Sequence, residues 1–329
     1  MNNNIDVVIT WVDGSDPEWF EEKQKYTPNK NNDDRVNRYR DWGFLPYFFR
    51  GIEQNAPWVR KIHFVTWGHL PVWLDTSNPK LNIVNHKDYI PKKYLPVFNA
   101  NPIELNLHRI EDLAEQFVFF NDDMILLNKA QECDFFKNGL PVDTVCEIPL
   151  RFYPGGIDHI IGNDMMVINK NFNKREVLNK NWKKWFSITS PKATIKNLYM
   201  LAVKGFSEFE NPHLPIPILK DTLKELWDRE EAIFDDTCSH RFRSNDDVNQ
   251  WLIRYWQFVS GKFIQAKKPQ GKFYSIGRDD KEIKDAILYG KQKMICLSDD
   301  KPDIDFDAEQ KFVLQLLDKK FPNKSSFEK

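Results

Sequence analysis

The sequence predicts an α/β fold, a mostly parallel sheet that carries a helical insertion or lobe. Two observations predict it. Over the first 120 residues, short strands rich in β-branched and aromatic residues alternate with amphipathic helices, the pattern of a parallel sheet with crossover connections. Beyond residue 170 the apolar spacing turns mainly helical. With 329 residues, 41% of them hydrophobic and 14% aromatic, the chain can bury a large core without staples and is not a disordered one.

The elements follow in order. Residues 5–12, Ile-Asp-Val-Val-Ile-Thr-Trp-Val, read as a buried strand. It runs into the turn signal Asp13-Gly14, and Ser15 or Asp16 ahead of Pro17 marks a helix start. Residues 27–37 read as a polar loop. A helix over 43–55 would place Leu45, Phe48, Phe49 and Ile52 on one face. Strands at 61–67, 81–85 and 117–120 enclose a helix near 102–115. Further helices are expected near 172–186, 191–204, 219–234, 246–260 and 307–320. The organisation expected is an α/β core over 1–168, a basic and aromatic helical insertion over 169–210, and a helical part over 211–329 that completes the site.

Charge and cysteine usage narrow the function. Lys plus Arg is 47 and Asp plus Glu is 48, a net charge of −1, which argues against nucleic acid as a general partner. Cys133, Cys146, Cys238 and Cys296 form no paired motif, so neither a zinc site nor a disulfide framework is suggested, and a reducing cytoplasm is the natural setting. The amino terminus lacks a basic region ahead of an apolar run, and no apolar stretch is long enough to span a bilayer.

Five constellations carry candidate chemistry. Asn121-Asp122-Asp123 ends an apolar strand, which puts two carboxylates at the carboxyl edge of the sheet, where ligands of α/β proteins bind. Hard oxygen donors there suit Mg²⁺ or Mn²⁺ bridging a diphosphate, and the position favours that over a plain turn. Trp11 and Asp13 stand where a strand feeds a helix start, so backbone amides could meet an anion and Asp13 a ribose or base. An ordinary capped helix is an equal reading. Glu104 and His108 are spaced to share a helix face, either toward the acid pair or as a solvated surface. His213 lies between Pro212 and Pro215 on a rigid segment, which would suit a positioned base, but on the residues alone an inconsequential loop histidine is the favoured reading. Arg241 and Arg243 precede a strong helix that Ser244 or Asn245 could cap, and their guanidinium groups suit a phosphate.

Together these blocks resemble the Stealth family of capsular polysaccharide phosphotransferases, which includes the catalytic subunit of N-acetylglucosamine-1-phosphotransferase. The first block resembles Asp6-Val-Val-Ile-Thr-Trp-Val-Asp13-Gly-Ser-Asp16-Pro. The second is similar to Arg38-Tyr-Arg-Asp41 through Asn55-Ala-Pro-Trp-Val-Arg60 and Asn101-Pro-Ile-Glu104 to His108-Arg109-Ile, ending at Asp122-Asp123. The third resembles Pro212-His213-Leu-Pro215 with Ser239-His240-Arg241-Phe-Arg243-Ser-Asn-Asp-Asp247, and the fourth Phe321-Pro-Asn-Lys-Ser-Ser-Phe327-Glu. Two departures stand out: Leu45-Pro46-Tyr-Phe-Phe-Arg50 has one basic residue fewer than the family pattern, and 158–210 matches no block.

The resemblance implies a glycosyltransferase-A-like (Rossmann-like) core that binds a nucleotide sugar, a UDP-sugar being expected, and transfers a hexose or N-acetylhexosamine 1-phosphate to a glycan hydroxyl, releasing a nucleoside monophosphate. It implies that Asp122 and Asp123 bind Mg²⁺ or Mn²⁺, with Asp122 also assisting catalysis. Arg243 would hold phosphate and His213 would deprotonate the acceptor. His240, Arg38, Asp41 and Glu104 would complete the pocket, with Asp13 and Trp11 near the nucleotide and His108, Arg109 and Arg241 contacting substrate. The competing readings are a metal-dependent glycosyltransferase that moves the sugar alone and a catalytically silent glycan-binding module.

Between Lys170 and Lys204 nine basic residues face one acid, Glu176, interleaved with Phe172, Trp182, Trp185 and Phe186. Such a segment suits an anionic membrane beside a lipid-linked acceptor, at the inner face of the cell membrane. A solvated helical face with core tryptophans is an equal reading.

Overall fold

A computed structural model describes residues 4–27, 40–153, 156–267, 269–301 and 303–329. Arg38 and positions 28–37 of the expected polar loop lie outside the described residues. The architecture is α/β, as the alternating pattern predicts. Strands β1 (Ile5–Thr10), β2 (Ile62–Thr66), β3 (Leu81–Asn85) and β4 (Gln116–Phe120) run parallel in the order β4-β1-β2-β3. The register sets Ile5 against Gln116 and Val7 against Ile62. The edge beyond β4 is closed by an antiparallel strand, Ile216–Leu219. A second sheet joins β5 (Met124–Leu126) to the strands Gly271–Ser275 and Met294–Ser298.

Alternation along β1 and β4 feeds two cores, because successive side chains point to opposite faces. Ile5, Val7, Ile9, Val118 and Phe120 pack with Phe48, Phe49 and Ile52 of helix α2 (Leu45–Asn55). Helix α1 (Pro17–Tyr26) precedes it. Val8, Phe117 and Phe119 face a helical layer that includes Ile161, Met165, Leu223 and Leu252. Asp6 is the exception on β1. It is fully buried, yet bonded by both arms of Arg60 (2.8 and 2.6 Å), by His63 Nε2 (3.0 Å) and by the Ala114 amide (2.8 Å). These bonds outweigh the desolvation that opposes them and hold its carboxyl below the usual range.

The first helix starts as expected. Pro17 occupies the first turn and Asp16 accepts the Trp19 amide at 2.8 Å. Elsewhere the structure corrects the sequence. The helix expected near 102–115 is only Ala100–Leu105, followed by the 3₁₀ turn Leu107–Arg109. Asn106 breaks it by bonding back to the Pro102 carbonyl (2.8 Å), so Glu104 and His108 share no helix face. The 219–234 helix is two, Lys220–Arg229 and Glu231–Ser239. The 246–260 helix starts late, at Trp251, without a side-chain cap from Ser244 or Asn245. Pro191–Tyr199 is shorter than expected, and Asp158–Asn171 is a helix the periodicity does not single out. The region beyond 170 is not only helical, since it supplies the edge of one sheet and two strands of the other. No helix among the described residues is long and apolar enough to cross a membrane.

Candidate active site

β4 belongs to one sheet and β5 to the other, and Asn121-Asp122-Asp123 is the turn between them. The Met124 amide bonds the Asn121 carbonyl (3.2 Å), and the Asp123 carbonyl accepts the Leu297 amide (2.9 Å). The two acids therefore sit on a seam between two sheets, at the carboxyl ends of β1 and β4. There they border a cleft with Trp11, Glu104, His213 and Arg243.

The edge strand explains how His213 arrives. Ile216 pairs with Phe119 and Pro217 with Val118 in antiparallel register. Extending that register three residues past Ile216 sets His213 opposite Asp122. His213 takes a left-handed backbone (φ 48°), its amide bonded to Asn211 Oδ1 at 3.2 Å, and its Nε2 lies 3.9 Å from Asp123 Oδ2. Trp251 and Phe273 pack edge-on against the ring.

The electrostatics are those of carboxylates short of countercharge. Desolvation, then Asp123 and Asp41, push Asp122 up to about 7, although the side chain is open to cleft water, which tempers the desolvation. Asp123 is raised by burial too, with His213 and a hydrogen bond from Cys296 Sγ (3.2 Å) pulling the other way. Its Oδ1 is buried with no hydrogen-bond partner. An unpartnered carboxylate oxygen beside a second acid fits a divalent cation. Asp123, His213 and Cys296 also offer ligand atoms within 4.8 Å of one another, though thiol and imidazole suit softer ions than Mg²⁺. Cys296, raised well above an ordinary thiol by burial and by the acids beside it, stays protonated.

Arg243 borders the same cleft and makes no ion pair among the described residues. Glu104, buried in the cleft wall, is pushed up to about 8 by desolvation, with Arg243 opposing. The Arg243 loop is fixed by the carboxylate that ends the third block, which anchors the loop instead of standing in a helix first turn. Asp247, fully buried, accepts from Asn99 Nδ2 (2.9 Å), Asn101 Nδ2 (2.8 Å) and the Ser244 amide (3.1 Å), and pairs with His240 Nδ1 (2.7 Å). The Phe98 amide bonds the Arg241 carbonyl (2.8 Å), and Phe98 stacks on Phe242.

The other expected residues that the structure describes do not border the cleft. Asp13 folds onto Ser15, accepting its amide and hydroxyl (2.9 and 2.6 Å). Asp41 caps the Gly43 amide (2.7 Å) and reaches Asp122 only through its field. His240 pairs with Asp247, which also holds the Ser244 amide next to Arg243, and Arg241 lies over Tyr26. Arg109 stacks on Trp227, and His108 packs beside the same ring, where burial drives its pKa down to about 3 and keeps it neutral. Cleft residues that the sequence reading missed include Trp19, His86 and Asn249.

Two family models match: Stealth protein CR1, conserved region 1, over residues 3–31, and Stealth protein CR2, conserved region 2, over residues 38–142. The chain is 42% identical over 328 residues to the capsular polysaccharide phosphotransferase WcwK of Streptococcus pneumoniae, covering 99% of this chain and 98% of that one. It is 38% identical to the receptor polysaccharide phosphotransferase WefC of Streptococcus oralis, covering 99% of each. It is 36% identical to the exopolysaccharide phosphotransferase cps2G of Lactiplantibacillus plantarum, covering 99% and 96%. A solved structure of the galactosyltransferase LgtC with donor and acceptor sugar analogues aligns over 98% of both chains at a TM-score of 0.41 and 10% identity, too distant to bear on the chemistry. Matching conserved regions in order, and full-length identity to several polysaccharide phosphotransferases, place this chain: it belongs to the Stealth family and is a transferase.

Proposed function

We propose that this transferase moves a hexose or N-acetylhexosamine 1-phosphate from a nucleotide sugar, a UDP-sugar being expected, to a hydroxyl of a glycan acceptor that is lipid-linked. The observation that carries the reading is the meeting in one cleft of Asp122, Asp123, His213 and an Arg243 without an ion pair among the described residues. That is equipment for charge on phosphoryl oxygens. His213 Nε2 takes the proton of the acceptor hydroxyl, whose oxygen bonds to the β-phosphorus. The bond from that phosphorus to the oxygen bridging the phosphates breaks, and the nucleoside monophosphate leaves with that oxygen. The anomeric bond is never touched, so configuration is retained. Arg243 holds the phosphoryl oxygens through charge-assisted hydrogen bonds. Asp122 and Asp123 are the residues that would hold Mg²⁺ or Mn²⁺, which when bound neutralises the diphosphate. Trp11, at the end of β1, gives the nucleotide a flat apolar wall, with Trp19 and His86 beside it. Glu104 completes the acceptor side. His240 acts from behind as a positioning residue, and Asp41 acts through its field on Asp122.

The test is nucleotide chemistry. With a donor panel, acceptor glycan and Mg²⁺, the expected products are a nucleoside monophosphate and a glycan whose new sugar is released by mild acid. Release of nucleoside diphosphate, with an acid-resistant linkage, would show glycosyl transfer and overturn the proposal. No nucleotide release with any donor would favour a binding module.

A further inference from the structure

The basic segment between Lys170 and Lys204 divides on folding. Part of it is spent internally. Lys174 is buried on Glu147 (2.8 Å) and the Met200 carbonyl (2.7 Å), and Trp185 is in the core. Lys170 pairs with Glu230, Lys196 with Glu210, and Lys184 bonds the Gly261 carbonyl. Arg175, Lys180, Lys183, Lys192 and Lys204 have no carboxylate partner among the described residues, and all five are exposed.

The apolar residues divide in the same way. Seven of the fifteen large apolar side chains left exposed among the described residues fall between Trp182 and Val203. Ile188 is 94% exposed, Tyr199 79% and Ile195 67%. The helix Pro191–Tyr199 is clamped from within by Asn197, which bonds the Trp185 and Val145 carbonyls (2.9 and 3.2 Å) and the Glu147 amide (2.7 Å). With Ala193 and Asn197 facing inward, Ile195, Leu198 and Tyr199 share the opposite face. The surface is thus a rigid platform and not a frayed end. Residues of this helix also form one wall of a largely apolar cleft. Its other wall includes Asn211, Pro212 and Leu214, which flank His213.

We propose that the face built from Trp182, Ile188, Ile195, Leu198, Tyr199 and Leu201, with the unpaired cations around it, docks on an anionic lipid bilayer. Lysine is depleted from protein–protein interfaces, whereas lysine interleaved with aliphatic residues, Trp and Tyr suits the boundary between headgroups and acyl chains. The cations complement anionic headgroups and the apolar tips enter beneath them. This surface is separate from the catalytic cleft, so the inference stands or falls independently of the reaction assigned above.

Flotation of the full chain with vesicles of phosphatidylcholine containing about one-third phosphatidylglycerol tests it. The wild type is expected to float, to stay behind with phosphatidylcholine alone, and to be released by high salt. Ile188→Ser/Ile195→Ser/Tyr199→Ser and Lys180→Gln/Lys183→Gln/Lys192→Gln/Lys204→Gln should each lower partitioning at least about tenfold. Val72→Ser/Tyr289→Ser, which alters similarly exposed residues elsewhere, should leave it unchanged. Circular dichroism and nucleotide release with a water-soluble acceptor would show that all variants fold. A wild type that stays behind, variants that float like it, or a control that falls equally would overturn the proposal. So would a wild-type dimer that the serine variant disperses, because the face would then belong to a second copy.

Discussion

Arg243 and the acid pair form an unbalanced arrangement, a guanidinium without an ion pair among the described residues and two raised carboxyls in the same cleft. Each half has a measurable consequence. Arg243→Lys keeps the charge and loses the planar fork, so kcat should fall about 10²-fold or more in a monophosphate-release assay, with folding unchanged. Because a cation binds the ionised acids, protons compete with it. Desolvation and the neighbouring acids raise Asp122, so Mn²⁺ affinity should weaken as pH falls from 8 to 5, as read by titration calorimetry. Asp122→Asn should abolish both the affinity and its pH dependence. Glu104 shows the opposite side of burial. Its carboxyl is raised from an unfolded value near 4.5 to about 8, so the folded state binds the extra proton and stability falls as pH rises through that window. Glu104→Gln should flatten the profile and raise stability at pH 8 by an amount on the order of a few kcal/mol, measured by urea denaturation.

At the scale of elements, legibility followed locality. β1, β2 and β4 could be read because a parallel strand buried on both faces is a largely apolar run. Adjacent acids at the end of such a run mark a site. The strand Ile216–Leu219 could not be read so easily, since Pro215 and Pro217 argue against a strand, and only an edge position tolerates them. Yet that strand's register with β4 is what brings His213 to the acid pair, its Nε2 3.9 Å from Asp123 Oδ2, across some ninety residues of chain. Arg243 is similar: what fixes its loop is Asp247 with Asn99 and Asn101, a pairing no local pattern announces. Without the family resemblance, His213 reads as an inconsequential loop histidine, and Arg243 as a phosphate clamp that helix capping leaves unexplained. The helix α2 makes a related point through Gly51. A Cβ there would stand 2.7 Å from the Leu126 carbonyl oxygen of β5, a backbone atom that cannot swing aside. Gly51→Ala should therefore cost about 1–3 kcal/mol in chemical denaturation despite its better helix propensity, and lower activity by moving the strand that follows the acids.

At the scale of the molecule, residues from 1–168, 169–210 and 211–329 share one core around the helical layer, and the second sheet draws β5 from the first span and two strands from the last. We propose that these spans mark regions of a common framework and do not unfold separately. The seam between the sheets then has a thermal consequence. Asp122 and Asp123 belong to neither sheet, so their separation from Arg243 and His213 depends on the angle at which the two sheets meet. A degree or two of rocking there changes a metal-and-phosphate geometry while every hydrogen-bonded ladder stays intact. Heat should therefore silence this enzyme some degrees below the temperature at which circular dichroism reports melting, with activity returning fully on cooling. A lasting tie between Asn55 and the β5 backbone, already sketched by the Asn55 bond to the Leu126 carbonyl (3.0 Å), is where a more heat-tolerant version would begin.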